Sequence, residues 1–221
     1  RDPLVWKRFG IHHLSPAHLN SYLCYNSDWL MTYGFKCSFS PNIAMIGGNV
    51  IESSGTLFAE QRPNNPDTVY NYAEALFDGA VEKKDENGNI LPQSDEEKEK
   101  RKTLRPMVDK VIDVVQKSGN YKGTQKKVII SLSELFGDED LPDMIGYTDY
   151  EFEKDRFPLT VDIKVPKKQS SEMNFGYWLQ GMFYYYGQDY NNEKGDVEFH
   201  QILSRKKTDK KTKKVTYSAD T

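Results

Sequence analysis

The chain has 221 residues, a formal net charge of −3 and 29% charged residues. This length can bury one sizeable core, so we expect a single domain spanning residues 1–221. The slightly acidic charge excludes a protein that coats nucleic acid through its overall charge, and any nucleic-acid surface must be local. No apolar run approaches the ~20 residues of a membrane helix, and the N-terminus has no signal-peptide pattern. We therefore expect a cytoplasmic protein without a membrane partner.

The two cysteines, Cys24 and Cys37, both lie in the first third of the chain and lack CxxC spacing. Alone they cannot form a structural zinc site or a four-cysteine iron–sulfur cluster. We expect two reduced, largely buried thiols, which is typical of a cytoplasmic protein.

Helical patterns dominate the first half of the chain. A serine followed by proline, Ser15-Pro16, is a favourable helix start, because serine caps and proline fits the first helical position. Apolar residues then recur at helical spacing. The predicted helices span residues 15–34, 42–60 and 68–81. The stretch 84–126 is rich in charge, and we interpret it as a charged helical insertion with a solvated face.

The pattern becomes extended after Gly123, with short apolar or alternating runs separated by Pro, Gly and Asp. The predicted strands span residues 127–133, 144–153, 159–165, 197–204 and 215–218. A helix is predicted between the third and fourth strands, at 175–186, and a basic hairpin turn at 206–214. Helices, three strands, a helix and further strands predict an α/β fold with a mixed sheet and helices packed on it.

Asp162 and Lys164 lie two residues apart in the predicted strand 159–165. Side chains at this spacing share one face of a strand, while Val161 and Ile163 share the other. The alternation predicts an amphipathic strand whose apolar face meets the core and whose charges point outward. An Asp-x-Lys alone is weak evidence for a site, because an ordinary amphipathic strand with a local ion pair has the same pattern.

A second acid, Asp149, ends the preceding strand, three residues after Gly146. A tight connection through residues 155–158 would make the two strands antiparallel neighbours, with facing side chains about 5 Å apart. Carboxylates that close repel each other unless a cation lies between them. Hard divalent cations prefer oxygen ligands, so Asp149 and Asp162 could share one ion. The alternative is two acids at surface strand ends.

Gln180 and Tyr184 are four residues apart and therefore lie on one face of the predicted helix 175–186. The alternative to a functional role is a surface glutamine beside a core tyrosine.

The ordered set of Gly146-x-x-Asp149, Asp162-x-Lys164 and Gln180-x-x-x-Tyr184 resembles the motifs of the PD-(D/E)XK nuclease superfamily, in its RecB-like exonuclease branch. The resemblance covers roughly residues 15–204. It implies a restriction-endonuclease-like αβββαβ core with a mixed central sheet, here with extra N-terminal helices. The iron–sulfur cluster of some members is excluded, because no cysteine follows Cys37.

The family also supplies an acid from an earlier helix, in a GxxxE or GxxxH pattern. Gly48 to Glu52 fits GxxxE, so Glu52 is the preferred third carboxylate, with Glu60 and Glu74 as alternatives.

The resemblance implies a Mg²⁺- or Mn²⁺-dependent deoxyribonuclease, an exonuclease acting in DNA recombination, repair or end processing. The implied metal ligands are Glu52, Asp149, Asp162 and the backbone carbonyl of Ile163. The implied catalytic residues are Asp149, Asp162, Lys164, Gln180 and Tyr184. The lysine would orient the attacking water or offset transition-state charge, and the glutamine and tyrosine would support the site and the substrate backbone. DNA is the implied partner. A helicase would have to be a separate partner, because no GxxxxGK[ST] is present. An annealing protein is the other candidate partner.

The competing interpretation is a non-catalytic nucleic-acid-binding or assembly module that keeps the nuclease fold. The intact Asp149, Asp162 and Lys164 argue against this interpretation, and the less certain assignment of Glu52 keeps it open. Basic residues outside the motifs could bind phosphates on either side of the cut, or could form only a solvated turn. They are Lys167, Lys168 and the cations of 205–214.

Overall fold

The computed structural model describes residues 10–38, 40–166, 173–190, 195–208 and 215–220. The helices are α1 (Pro16–Cys24), α2 (Asn26–Trp29), α3 (Ile43–Gln61), α4 (Pro66–Val81), α5 (Asp95–Lys117), α6 (Leu132–Phe136) and α7 (Phe175–Tyr190). The strands are β1 (Asn120–Thr124), β2 (Lys127–Ile130), β3 (Met144–Tyr147), β4 (Tyr150–Lys154), β5 (Phe157–Lys164), β6 (Asp196–Gln201), β7 (Leu203–Thr208) and β8 (Val215–Asp220). The protein is a mixed α/β protein, as predicted.

The first predicted helix is interrupted. Ser15 caps α1 as expected, since its hydroxyl accepts a hydrogen bond from the His18 amide at 3.1 Å. The helix ends at Tyr25, whose backbone is not helical, and a short α2 and a π-helical turn at Leu30–Gly34 follow. The break precedes Asn-Ser-Asp, residue types whose side chains compete with helical backbone hydrogen bonds. Cys24 is exposed, so its predicted burial is wrong.

Helices α3 and α4 agree with their predicted spans. Asn42 caps α3 by accepting from the Met45 amide at 3.0 Å, and Asn65 caps α4 by accepting from the Asp67 amide at 2.9 Å. The buried positions of α3 are all on one side and face α5 and the sheet. They are Gly47, Val50, Ile51, Ser54, Gly55, Phe58 and Ala59.

Helix α5 begins with a capping box, in which Ser94 and Glu97 satisfy each other's backbone amides. The prediction of a charged insertion at residues 84–126 fits only the side of α5 that faces away from the core, where Arg101 and Arg105 bind Glu74 of α4. Its other side lies in the main hydrophobic core, so the helix is part of the core. The buried apolar residues are Leu104, Met107, Val108, Val111, Val114 and Val115.

The central sheet has four strands in the order β1-β4-β5-β6. The expected antiparallel pairing of β4 with β5 is confirmed, from Tyr150↔Val161 to Lys154↔Phe157. Asp155 and Arg156 connect the two strands, both at positive φ as a tight hairpin requires. Strand β6 is parallel to β5, so the chain must cross over between them, and α7 lies in that crossover.

Two smaller strand pairs complete the described structure, β2 with β3 and β7 with β8. The predicted strand 144–153 is split at Thr148 and Asp149, and the predicted strand 197–204 is split at Ile202. Residues 205–207 lie in β7 rather than in a turn, where Arg205 pairs with Asp220. Lys206 pairs with Glu99 of α5 at 3.3 Å. Lys167, Lys168 and residues 209–214 lie outside the described residues.

Strand β5 is buried on both faces, and the prediction that Asp162 and Lys164 point outward is wrong. Val161 and Ile163 pack in the core formed with α3, α4 and α5. Asp162, on the other face, is 0% exposed. The alternation of side chains predicts which residues share a face, but it cannot show that a crossover helix covers the second face. Within the described ranges, no helix is long and apolar enough to cross a membrane.

Two glycines of α3 test how closely this helix packs on the sheet. A Cβ added at Gly55 would lie 2.4 Å from the Tyr150 hydroxyl and 2.7 Å from a Val111 methyl, whereas one at Gly48 would meet nothing within 4 Å. We expect Gly55→Ala to lower the free energy of unfolding by ~1–3 kcal/mol through overpacking. Gly48→Ala, the matched control, should raise it by up to ~1 kcal/mol because alanine favours helix. Urea denaturation of both variants measures this, and equal effects would contradict the packing.

Candidate active site

The predicted site residues converge from four parts of the chain. They are Glu52 on α3, Asp149 between β3 and β4, Asp162, Ile163 and Lys164 on β5, and Gln180 and Tyr184 on α7. The three carboxylates influence one another electrostatically. Asp149 raises the pKa of Glu52, and both Asp149 and Glu52 raise the pKa of Asp162. The structure therefore brings together residues that are 132 positions apart in the sequence, from Glu52 to Tyr184.

Asp149 occupies a break in the strand ladder. Tyr150 pairs with Val161, but Asp149 lies outside any strand. Its carboxylate accepts a hydrogen bond from the Ile163 amide at 2.9 Å. A side-chain oxygen thus takes the amide that a main-chain carbonyl of β4 would otherwise bind if the ladder continued. The carboxylate is thereby fixed beside β5.

The carbonyl of Ile163 faces the same strand edge as its amide. The Lys164 carbonyl accepts from the Ile202 amide at 2.8 Å, which lies on the β6 side. Backbone groups of successive strand residues point to opposite edges, so the polar groups of Ile163 face the other side, towards Asp149. This is the orientation that a ligand carbonyl at Ile163 would need.

Asp162 is held by two neighbours on its buried face, Gln180 and Lys164. Its Oδ1 accepts from Nε2 of Gln180 at 3.0 Å, and its Oδ2 lies 2.5 Å from Nζ of Lys164. Gln180 Nε2 also donates to the Tyr184 hydroxyl at 2.8 Å, which in turn donates to the Tyr147 carbonyl at 2.6 Å. Gln180 is therefore not a simple surface residue. Tyr184 is a core residue that also carries this chain of hydrogen bonds.

Glu52 reaches the site from the other layer of helices. Its Oε1 accepts from Nε2 of Gln125 at 3.0 Å, and its backbone carbonyl accepts from the Tyr150 hydroxyl at 2.5 Å. Of the alternative acids, Glu74 is bound by Arg101 and Arg105 of α5 instead.

Glu60 lies eight positions after Glu52 on the same helix, about 12 Å further along its axis. Among the three candidate acids, Glu52 is the one that raises the pKa of Asp162.

Burial is the main cause of the raised pKa values of these carboxyl groups. It raises the pKa of Glu52 to about 7, with a further contribution from the charge of Asp149. The pKa of Asp162 also rises to about 7, first through burial, while the charge of Lys164 opposes the rise. Burial raises the pKa of Asp149 as well, and Lys164 again opposes it. One lysine thus offsets part of the cost of three buried acids.

The donor chemistry suits a hard divalent cation, since the oxygens of three carboxylates and a carbonyl converge on one region. Within the described residues, however, no group of three or more His, Cys, Asp or Glu side chains is gathered closely enough to hold a metal ion. Two of the carboxylates instead have side-chain partners, Lys164 on Asp162 and Gln125 on Glu52. A metal ion on Asp162 or Glu52 would share the carboxylate with its partner or displace that partner.

Three neighbours of the site were not identified from the sequence. Gln125 adopts a left-handed backbone conformation, with φ of 53°, between β1 and β2. Tyr150 directly follows Asp149 and supports α3. The Tyr177 ring has the Lys164 ammonium 5.6 Å from its centroid. Only Tyr177 carried a usable signal, because it lies three residues before Gln180 and so on the same helix face.

No protein-family model matches the chain, and no curated protein shows a significant match to it. The geometry of the site and the motifs therefore carry any inference about function.

The buried acids predict an unusual pH dependence of stability. Because the folded-state pKa of Glu52 and of Asp162 is about 7, above their ordinary values of 4.5 and 3.8, the folded protein binds more protons than the unfolded chain between about pH 4 and pH 7. Stability in a chelator should therefore fall as pH rises through this window. Asp162→Asn should flatten the fall, which thermal melts from pH 5 to pH 8 would measure. Glu74→Gln, at a half-buried acid that pairs with Arg101 and Arg105 away from the site, is the control. Stability that increases steadily over this range would contradict the burial of the acids.

Proposed function

We propose that the protein is a divalent-metal-dependent nuclease that hydrolyses DNA phosphodiester bonds, with exonuclease action on DNA ends in recombination or repair. The observation that carries this proposal is the convergence of Glu52, Asp149 and Asp162 around Lys164, with Gln180 and Tyr184 holding Asp162. Buried acids that raise one another's pKa are costly to a fold, and such clusters are commonest at functional sites.

The order of the elements supports a PD-(D/E)XK-type core. A helix, three antiparallel strands, a crossover helix and a parallel strand follow one another as α5, β1, β4, β5, α7 and β6. Apart from β2, α6 and β3, which lie between β1 and β4 in the chain, this order matches the αβββαβ succession that the motif resemblance implies. Helices α3 and α4 would be additions before the core.

The proposed ligands for Mg²⁺ or Mn²⁺ are the carboxylates of Glu52, Asp149 and Asp162 and the carbonyl of Ile163. A bound divalent ion would lower the pKa of the attacking water and offset charge on the phosphate. Lys164, at 20% side-chain exposure, is long enough to leave Asp162 and reach towards a substrate phosphate. There it would stabilise charge that grows in the transition state.

Gln180 and Tyr184 act as positioning residues in this proposal. They connect Asp162 to the main chain of β3 through three hydrogen bonds, at 3.0, 2.8 and 2.6 Å. Glu52 and Asp162, with pKa values of about 7, could also accept a proton near neutral pH when they are not bound to a cation. The chain's own groups therefore supply positive charge, orientation and proton acceptors beside one another.

The alternative is a nucleic-acid-binding or assembly module without cleavage. One observation favours it, since Lys164 already pairs with Asp162 and Gln125 with Glu52 without a metal ion. A module of this kind would keep those two contacts permanently. The two proposals therefore differ in whether divalent ions bind at all.

The decisive experiment incubates the protein with end-labelled linear DNA and with circular DNA in Mn²⁺. We expect the linear DNA to be shortened from its ends, the circular DNA to persist, and excess EDTA to abolish cleavage. Cleavage of circular DNA would replace the exonuclease by an endonuclease. Undiminished cleavage in EDTA would remove the metal mechanism, and no cleavage together with no heat of Mn²⁺ binding would favour the binding module.

A pair of variants separates the roles of Asp162 and Lys164. Asp162→Asn should weaken Mn²⁺ binding and nearly abolish cleavage, because it removes a ligand charge. Lys164→Ala should bind Mn²⁺ as tightly as the wild type or more tightly at pH 8.5, since the competing ion pair with Asp162 is lost. Its cleavage should still fall by two to three orders of magnitude, about the effect of losing ~3–4 kcal/mol of transition-state stabilisation.

The measurements for these variants are Mn²⁺ calorimetry and a cleavage assay at saturating DNA. Lys154→Ala is the matched control, because Lys154 lies on the neighbouring strand and pairs with exposed Glu198 at 3.3 Å. It should change neither quantity. Lys164→Ala that cuts at the wild-type rate would show that this lysine is only a counter-ion of a buried acid.

A further inference from the structure

A cleft of about 660 Å³ opens beside the carboxylates, between α1, the end of β3 and the first turns of α7. Its size falls within the range of small-molecule sites, roughly 300–1,000 Å³. The side chains that matter here are the aromatic ones and those shared with the candidate active site. They are Tyr25, Tyr147, Phe175, Tyr177, Gln180 and Tyr184.

One wall of the cleft belongs to the candidate active site. Gln180 lines the cleft and lies 3.0 Å from the Asp162 carboxylate. Tyr177 also lines it, and the centroid of its ring is 5.6 Å from Nζ of Lys164. A molecule in the cleft would therefore be in contact with the groups that position Asp162 and Lys164.

The lining of the cleft is uncharged and aromatic. No Asp, Glu, Lys or Arg is among the described residues that line it. His18, which also lines it, has a pKa lowered by burial and by the charge of His13, and this favours a neutral ring. Tyr25, Tyr147 and Phe175 are 58%, 51% and 46% exposed, respectively. A phosphate group would find no cation here, whereas a flat neutral ring could stack on the aromatic faces.

The remaining polar groups of the cleft are amides, hydroxyls and imidazoles. Asn20 and Asn174 lie in the wall between α1 and α7, together with Ser15 and the histidines His13 and His18. Neutral donors and acceptors of this kind match the edge of a nucleobase rather than its phosphate.

We infer that this cleft holds an unpaired nucleobase of the strand whose phosphate lies at Asp149 and Asp162. The inference depends on the proposed function, because it takes a nucleic acid as the occupant, and it adds a single-stranded segment next to the cut. The aromatic side chains form the stacking surface, and Gln180 and Tyr177 link the base to the cleavage groups.

The test measures binding of a fluorescent single-stranded DNA oligonucleotide in EDTA, which under the proposed function also prevents cleavage. The variant is Tyr25→Ala with Phe175→Ala, two exposed rings of the cleft that make no contact with the carboxylates. The control is Tyr186→Ala, an equally exposed tyrosine of α7 that does not line the cleft, at 55% exposure. Each protein is also titrated with oligonucleotides that carry one abasic position, moved stepwise along the strand.

We expect the paired variant to weaken binding by roughly five- to a hundredfold, the effect of losing one stacked base, and the control to bind like the wild type. One abasic position should weaken wild-type binding by a similar factor. It should have little effect on the paired variant, because that variant already lacks the stacking contact that the abasic position removes. Unchanged binding in the paired variant, equal loss in the control, or no sensitive position in the wild type would overturn the inference. So would the absence of any binding.

The outcome is separable from that of the proposed function. A protein that shows the abasic effect but never cleaves DNA in Mn²⁺ would keep the base site and lose the nuclease. A protein that cleaves DNA in Mn²⁺ without any abasic effect would keep the nuclease and lose the base site.

Discussion

The hydrogen bond from the Ile163 amide to the Asp149 carboxylate is the interaction on which the rest of the site depends. It lies where the chain passes from β3, which pairs with β2, into β4 of the central sheet. A side chain replaces the main chain at this point, so β5 continues without a strand partner on that edge. The open edge of β5 presents the Ile163 carbonyl. Gln125 lies at the matching break between β1 and β2, where its side chain binds Glu52. One local departure from regular pairing therefore gathers groups from three elements.

The second constraint is the parallel pairing of β5 with β6, which places α7 over the outer face of β5. Helix α7 buries Asp162, which would otherwise be a surface acid, and burial makes its ionisation costly. The hydrogen bond from Gln180 and the ion pair with Lys164 offset part of this cost, but burial still raises the pKa of Asp162. A fold that needed only stability could use an apolar residue here, since buried ion pairs rarely stabilise more than apolar packing does. The persistent cost is an argument for function.

Much of this arrangement could be predicted from the sequence, and the failures have identifiable causes. The spacing of Asp162 and Lys164, the tight turn at Asp155 and the helix that carries Gln180 are local features, and the structure agrees with them. The burial of Asp162 was missed because the alternation of residues along a strand indicates which side chains share a face, but not whether another element covers that face. Gln125 was missed because its role depends on a pairing between strands and on a helix 73 positions away in the sequence. The end of α1 at Tyr25 was missed because helical spacing continued through a segment of weak helix formers.

The position of Lys164 connects the carboxylates to the neighbouring cleft. Its ammonium group lies against Asp162 on one side and near the Tyr177 ring on the other, so small movements exchange one favourable contact for another. An ammonium gains about 0.5–2 kcal/mol over an aromatic face. Such a contact is weaker than a close pairing with a buried carboxylate, and the lysine therefore stays on Asp162 until another cation reaches that carboxylate. If a divalent ion takes that place, repulsion would drive Lys164 towards Tyr177 and the cleft, where a substrate strand would lie. Cation binding and substrate contact would then be coupled through one side chain, without movement of the backbone.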